Sequence, residues 1–277
     1  MLIKYIRESF KRKYARRVFR EYPTCLSDFH LEKDGKIQFA TWKNPLRRDE
    51  YRITTPMVEF YRKYISEGDL VIDIGANIGD TTVPMGLAAG KAGTTLGFDP
   101  NPVVFKILEI NSALNRDKTN IIPLRYAISV EDEEFYFVSS EASFSNGGIS
   151  KTKKSSLGRY IYPEKISGVN LIDFLNQNYN SLLPRFSFIK IDTEGYDKEI
   201  IKSVSPLIEK YRPVIVAESY DGCSRNEKLD LYDTISDLNY NISYFSDFDI
   251  NAEVIELKGR KDILKWRKTI NIICLPG

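Results

Sequence analysis

From Leu70 onward the chain repeats one pattern: a short apolar run ending in polar or glycine-rich residues, followed by a stretch with apolar side chains at helical spacing. The runs lie at 70–74, 94–98, 121–126, 186–191 and 213–217, and helices are predicted near 79–89, 102–115, 196–210 and 226–237. Two further runs, 242–245 and 269–274, end the chain and are expected to close the sheet's edge as a hairpin-like pair. Strands that are apolar on both faces and alternate with helices build βαβ units. The expected fold is α/β, a doubly wound sheet of seven mostly parallel strands with helices on both faces.

At 277 residues the chain exceeds a typical domain, yet α/β units of ~200–250 residues stay whole. Residues 1–66 read as an extension and 67–277 as the α/β domain. In the extension, Ile3, Ile6, Phe10, Tyr14 and Val18 recur at helical spacing among Lys4, Arg7, Lys11, Arg12, Lys13, Arg16, Arg17 and Arg20, and Pro23 ends the pattern. This is a basic amphipathic helix over residues 2–21. It fits peripheral docking on an anionic membrane, and equally a helix that packs its stripe on the domain and leaves its charges in water. Residues 24–55 read as irregular or short strands, 37–42 being the best strand, and a second helix is expected from Met57 to Ser66. Inside the domain, residues 130–184 interrupt the rhythm between the third and fourth strands. That is far longer than the ~2–6 residues usual for such connections. Its aromatic residues favour an element that covers a substrate.

A net charge of +2 argues against nucleic acid as a partner. Cys25, Cys223 and Cys274 are widely spaced and only His30 supplies an imidazole, which argues against a disulfide framework and a structural zinc site. Charge breaks the apolar residues at the start too early for a signal peptide, and no run of ~18 uncharged apolar residues occurs. A cytoplasmic location is expected, with the membrane periphery added if the basic helix docks there.

Val71-Ile-Asp-Ile-Gly-Ala-Asn-Ile-Gly79 is a buried strand entering a turn, and Asp80 and Thr81 open a helix. Such a turn aims backbone N–H groups at the anionic end of a ligand in Rossmann-like folds. A dinucleotide fingerprint needs a third glycine, which Ala76 and Asn77 do not supply. S-adenosylmethionine carries no phosphate and suits the spacing: the backbone of Gly75, Ala76, Asn77 and Gly79 can meet its methionine part, and Asp73 supplies charge near its ammonium. Asp99, twenty residues past Gly79, ends the second strand and is placed to accept both ribose hydroxyls. Asp80 and Thr81, and Ala127 past the third strand, complete the expected cofactor set.

These stretches, with Phe188-Ile-Lys-Ile-Asp-Thr-Glu-Gly-Tyr196 and Pro213-Val-Ile-Val-Ala-Glu218, resemble the FkbM-type methyltransferases of the class I methyltransferase fold. Asn146-Gly-Gly148 and Leu171-Ile-Asp173 are weaker echoes. Thr193 stands where the family form usually has valine. The resemblance covers roughly residues 68–220 and implies an S-adenosylmethionine-dependent O-methyltransferase acting on a hydroxyl, commonly of a sugar in glycan or secondary-metabolite assembly.

Methyl transfer to a hydroxyl needs alignment and a proton acceptor. Asp192 and Glu194 follow the fourth strand, at the sheet end where ligands bind, and Glu218 ends the fifth. The three carboxylates are expected to converge, with Asp192 as base and Glu194 beside it as the catalytic pair. The competing role is to hold a divalent cation. The plain alternative for Glu194 is an acid at a helix N-terminus, and for Glu218 a strand-end residue that caps a loop. Asn146, Gly147 and Glu218 are the expected acceptor contacts. Two further readings are weighed. A nicotinamide-dependent sugar oxidoreductase shares the fold but needs other glycine spacing and a tyrosine with a lysine four positions on. A non-catalytic, membrane-peripheral binding protein would not need Gly75, Gly79, Asp99 and Asp192.

Overall fold

A computed structural model describes residues 2–46, 51–154 and 158–277. Residues 47–50, within the stretch expected to be irregular, and 155–157, within the insertion, lie outside the described residues, as do the side chains of residues 2–5, Ile3 and Lys4 included.

The extension holds α1 (Leu2–Ala15), a hairpin of β1 (Thr24–Leu31) and β2 (Gly35–Trp42), and α2 (Thr55–Arg62). The sequence shows β2 but hides β1, whose inward positions Cys25, Ser27 and Phe29 are only half-buried and whose outward ones include Leu26, so that its alternation is weak. Gly35, with φ +66°, supplies the left-handed residue of the connecting turn. α2 begins where the Thr54 hydroxyl accepts the Met57 N–H at 3.3 Å and Pro56 occupies the first turn.

The α/β domain runs β3 (Leu70–Ile74), α3 (Thr82–Ala89), β4 (Thr94–Phe98), α4 (Phe105–Ala113) and β5 (Ile121–Leu124). The insertion follows as β6 (Ala127–Ser129), β7 (Glu133–Ser139), β8 (Gly148–Ser150), β9 (Tyr160–Asn170) and α5 (Leu171–Asn178). The chain returns through β10 (Phe186–Ile191), α6 (Asp197–Ser203), α7 (Ser205–Tyr211), β11 (Val214–Ser219), α8 (Arg225–Ser236), β12 (Tyr240–Phe245), β13 (Val254–Glu256) and β14 (Ile270–Pro276). One helix was expected over 196–210. It divides at Val204 because Pro206, in the first turn of α7, cannot continue α6.

The main sheet has the order β13-β12-β14-β11-β10-β3-β4-β5. Five central strands pair in parallel, and β14 is antiparallel to both of its neighbours, β11 and β12. The doubly wound α/β fold therefore stands, with two corrections. The sheet has eight strands, and the C-terminal strand is interior. Ile270, Ile272, Ile273 and Cys274 of β14 are buried, as suits a strand covered on both faces inside the sheet. The three exposed residues of β13 tolerate the edge instead.

Alternation along the strands feeds two cores. Ile72, Ile189 and Ile215 pack toward Leu175, Ile200, Ile208 and Leu231. Val71, Phe188 and Val216 pack toward Phe60 and Tyr61 of α2 and Met85 of α3. Each such side chain stabilises the fold by about 1.5–3 kcal/mol. The insertion is a second sheet, ordered β6-β9-β7-β8. It buries Phe135, Phe137 and Phe144 with Val103 and Val104 before α4, and with Ile37 and Phe39 of the hairpin. That packing sets it beside the end of β4.

Candidate active site

β3 ends at Ile74 and turns through Gly75, Asn77 and Gly79, with φ of +80°, +49° and +96°. Glycine and asparagine accept that left-handed backbone more readily than other residues. A Cβ on Gly75 would lie 1.9 Å from the Asp192 carbonyl oxygen, so glycine is what lets the ends of β3 and β10 approach. The turn is fastened to its neighbours. The Gly75 and Ala76 N–H groups donate to the Phe98 carbonyl at 2.9 and 3.0 Å, and the Asp192 N–H donates to the Ile74 carbonyl at 3.0 Å.

A cavity opens at the carboxyl ends of β3, β4 and β10, where an α/β sheet binds ligands. Gly75, Asn77, Asp80, Thr81, Asp99 and Ala127 line it from the sheet side. Asn146 and Gly147 line it from the insertion, and Asp192 and Glu194 from the turn after β10. Asp99 is buried, and its carboxylate accepts the Asn77 N–H at 2.7 Å and the Asn101 N–H at 2.8 Å. Burial pushes it up to about 7, against the lowering effect of those two N–H groups. Asn101 in turn donates its side-chain amide to the Phe144 carbonyl at 2.8 Å, joining the end of β4 to the insertion.

Four expected site residues stand elsewhere. Asp73 is 0% exposed and does not reach the cavity. Its Oδ2 accepts the hydroxyls of Thr81 and Thr82 at 2.8 and 2.6 Å, and its Oδ1 lies 3.6 Å from Lys190 Nζ. Asp73 thus stands in an internal ion pair with Lys190. Ala76 and Gly79 shape the turn without lining the cavity. Glu218 lines an adjoining cavity with Gly195, Asp197 and Cys223, yet its pKa is raised by burial and in part by the charges of Asp192 and Glu194, so the three carboxylates stand within electrostatic reach of one another. Among the described residues no group of His, Cys, Asp or Glu side chains has the arrangement of a metal site.

Lys190 was missed by sequence reasoning. It is 2% exposed, lines the cavity, and stands directly opposite Asp73 in the β3–β10 ladder. Its Nζ also donates to Asp192 Oδ2 at 3.1 Å. Burial opposes its charge, yet Asp192 and Asp73 together hold its pKa above the ordinary lysine value. A charge inside each of two otherwise apolar strands was the available signal, since buried charges come paired.

Asp197 was missed as well. Its Oδ2 accepts the Thr193 N–H at 3.2 Å and the Thr193 hydroxyl at 2.8 Å, and its Oδ1 accepts the Glu218 N–H at 3.0 Å. Threonine in place of valine at 193 thus adds a bond that valine cannot make. Burial pushes Asp197 up to about 6. Burial, then the charges of Asp192 and Asp197, push Glu218 up to about 8. Glu194 precedes α6 at φ +54°, outside the helix, and the first-turn acids there are Asp197 and Glu199. The reading of Glu194 as a helix N-terminal acid is set aside by that geometry. His30 is exposed on β1, away from the cavity.

A methyltransferase FkbM domain is matched over residues 73–242, more than half of the chain. The chain belongs to the FkbM methyltransferase family. It is 30% identical over 150 residues to the hexuronic acid methyltransferase AglP of Haloferax volcanii, a match that takes in 54% of this chain and 56% of that relative's length. The chain thus spans little more than half of the curated relative. Among solved structures it is similar to an FkbM methyltransferase of Methylobacillus flagellatus (13% identity, TM-score 0.46, 79% of this chain and 51% of that one). It is likewise similar to a precorrin-6y C5,15-methyltransferase of Geobacter metallireducens (11% identity, TM-score 0.44, 83% and 93%). The cofactor of an FkbM methyltransferase is S-adenosylmethionine. A buried, N–H-bonded carboxylate beside a glycine turn fits its hydroxyl-bearing ribose.

Proposed function

We propose that this FkbM methyltransferase transfers the methyl group of S-adenosylmethionine to a hydroxyl of a sugar, in the assembly of a glycan or a secondary metabolite. The observation that carries this reading is a single cavity lined by Asp99 after β4 and by Asp192 with Glu194 after β10, two strand ends with β3 between them. In this reading the Asp99 end holds the cofactor and the Asp192 end the acceptor. The hexuronic acid relative supports a sugar acceptor and makes a uronic acid the first to test.

In this reading Gly75, Asn77, Asp80 and Thr81 hold the methionine end, Asp99 accepts the ribose hydroxyls, and Ala127 flanks the adenine. The bound cofactor supplies a methyl carbon activated by its sulfonium. Asp192 takes the proton of the acceptor hydroxyl as that oxygen bonds to carbon. Its Oδ2 faces Lys190 Nζ at 3.1 Å, which orients the carboxylate and leaves Oδ1 for the proton. Glu194, held at a left-handed backbone, faces the same cavity and orients the acceptor, while Asn146 and Gly147 close over it.

Calorimetric titration with S-adenosylhomocysteine and with NAD tests the cofactor half; binding of the first alone is expected, and its absence would sink the proposal. Incubation with a hexuronic-acid oligosaccharide and the cofactor, read by mass spectrometry, tests the acceptor half through the added methyl group.

A further inference from the structure

α1 (Leu2–Ala15) packs with its apolar stripe outward. At 100° per residue Ile6, Phe10 and Tyr14 fall within about 80° of one another, while Glu8, Arg12 and Ala15 fall on the opposite side. The inward side is the second: Ala15 is 0% exposed and Glu8 and Arg12 are half-buried, whereas Ile6, Phe10 and Tyr14 are 44%, 68% and 53% exposed. The exposed apolar run continues through Val18 and Phe19. The segment is nevertheless fixed to the domain, since the Ala142 N–H donates to the Arg16 carbonyl at 3.0 Å and Phe19 meets Phe144 edge-on at 6.0 Å. Both partners belong to the insertion whose Asn146 and Gly147 line the cavity.

Charge surrounds this stripe. Arg7 and Lys11 flank it on one side and Lys13 on the other, and Arg16, Arg17 and Arg20 follow. The acid of the segment, Glu8, is paired with Lys11 at 2.7 Å. We propose that this face docks on an anionic lipid surface, with Ile6, Phe10 and Tyr14 entering the boundary between headgroups and acyl chains and the cations meeting the headgroups. The two halves of the pattern need one another. Cations alone would suit an acidic protein, but adjacent apolar side chains held in water, rimmed by long basic ones, match an interfacial helix. A second copy would bring two sets of like charges together. The inference does not depend on the reading of the cavity.

The test uses the full chain and two vesicle preparations, phosphatidylcholine alone and equimolar phosphatidylcholine with phosphatidylglycerol. Co-sedimentation is expected with the anionic vesicles only, and raised salt should reverse it. The variant Phe10→Ser/Tyr14→Ser should bind those vesicles about tenfold more weakly. Its S-adenosylhomocysteine titration should match the wild type, which reports an intact domain and reads the cofactor proposal separately. Equal sedimentation with both vesicles, none with either, or a variant that sediments like the wild type would each overturn the inference. A dimer in ultracentrifugation that the variant abolishes, without vesicle binding, would assign the face to a second copy and overturn it too.

Discussion

The affinity for S-adenosylhomocysteine is expected to fall as the pH drops through 7, because Asp99 must be ionised to accept two ribose hydroxyls. Burial holds this carboxyl up to about 7 in the free protein. Hydroxyl donation favours the carboxylate, so its pKa falls on binding and a proton is released wherever the free protein was protonated. From roughly pH 8 to roughly pH 6 the dissociation constant should rise about tenfold, equivalent to about 1.4 kcal/mol. The assay is calorimetric titration across that range in two buffers of different ionisation enthalpy, which also counts the proton. Asp197 and Glu218 titrate nearby, at about 6 and about 8, but neither lines the cavity that holds Asp99. The variant Asp99→Asn isolates the effect, and its affinity should be weaker at roughly pH 8 and nearly independent of pH. A flat wild-type profile, or an equal slope in Asp99→Asn, would refute the reasoning. The linked effect on stability has a definite sign. A folded-state pKa above the unfolded value contributes stability that is present at low pH and lost as the pH rises through about 7, so ligand should stabilise the protein most on the alkaline side.

Gly75→Ala should lower stability by about 3 kcal/mol or more in urea unfolding and abolish cofactor binding, since its Cβ would sit 1.9 Å from a backbone oxygen; a variant with the wild-type midpoint would contradict the close approach of β3 and β10. Lys190→Met leaves the buried Asp73 without its counter-ion and should cost about 3–5 kcal/mol. Adding Asp73→Asn should recover part of that loss, and strictly additive effects would refute the pairing. Asp192→Asn should leave the affinity for S-adenosylhomocysteine nearly unchanged while turnover falls by about 10²–10⁴. An equal loss of affinity would remove Asp192 from the role of base.

Much of the site was legible because its signals are local. Gly75, Asn77, Asp99, Asp192 and Glu194 are adjacent to strand ends, and they do line one cavity. What Asp73 meets was not legible, because a carboxylate inside an apolar strand looks the same in sequence whether it faces a ligand or a lysine across the ladder. The opposite residue is set by the β3–β10 register, in which Asp73 meets Lys190. Glu218, on the strand next to β10, feels the charges of Asp192 and Glu194 but lines the neighbouring cavity, and its N–H donates to Asp197; which cavity a strand-end residue lines depends on packing between elements far apart in the chain.

By itself the sequence determined the alternation of strands and helices, the left-handed turn after β3 and the acid at the end of β4, since periodicity and glycine placement act within a few residues. Tertiary structure alone decided three things. It set β14 between β11 and β12, because strand order depends on pairing between segments far apart in the chain. It paired Asp73 with Lys190, because register joins residues far apart in the chain. It also turned the stripe of α1 outward: an amphipathic pattern fixes that two faces differ but not which one meets the domain, and here Ala15 lies inside while Phe10 stays in contact with solvent.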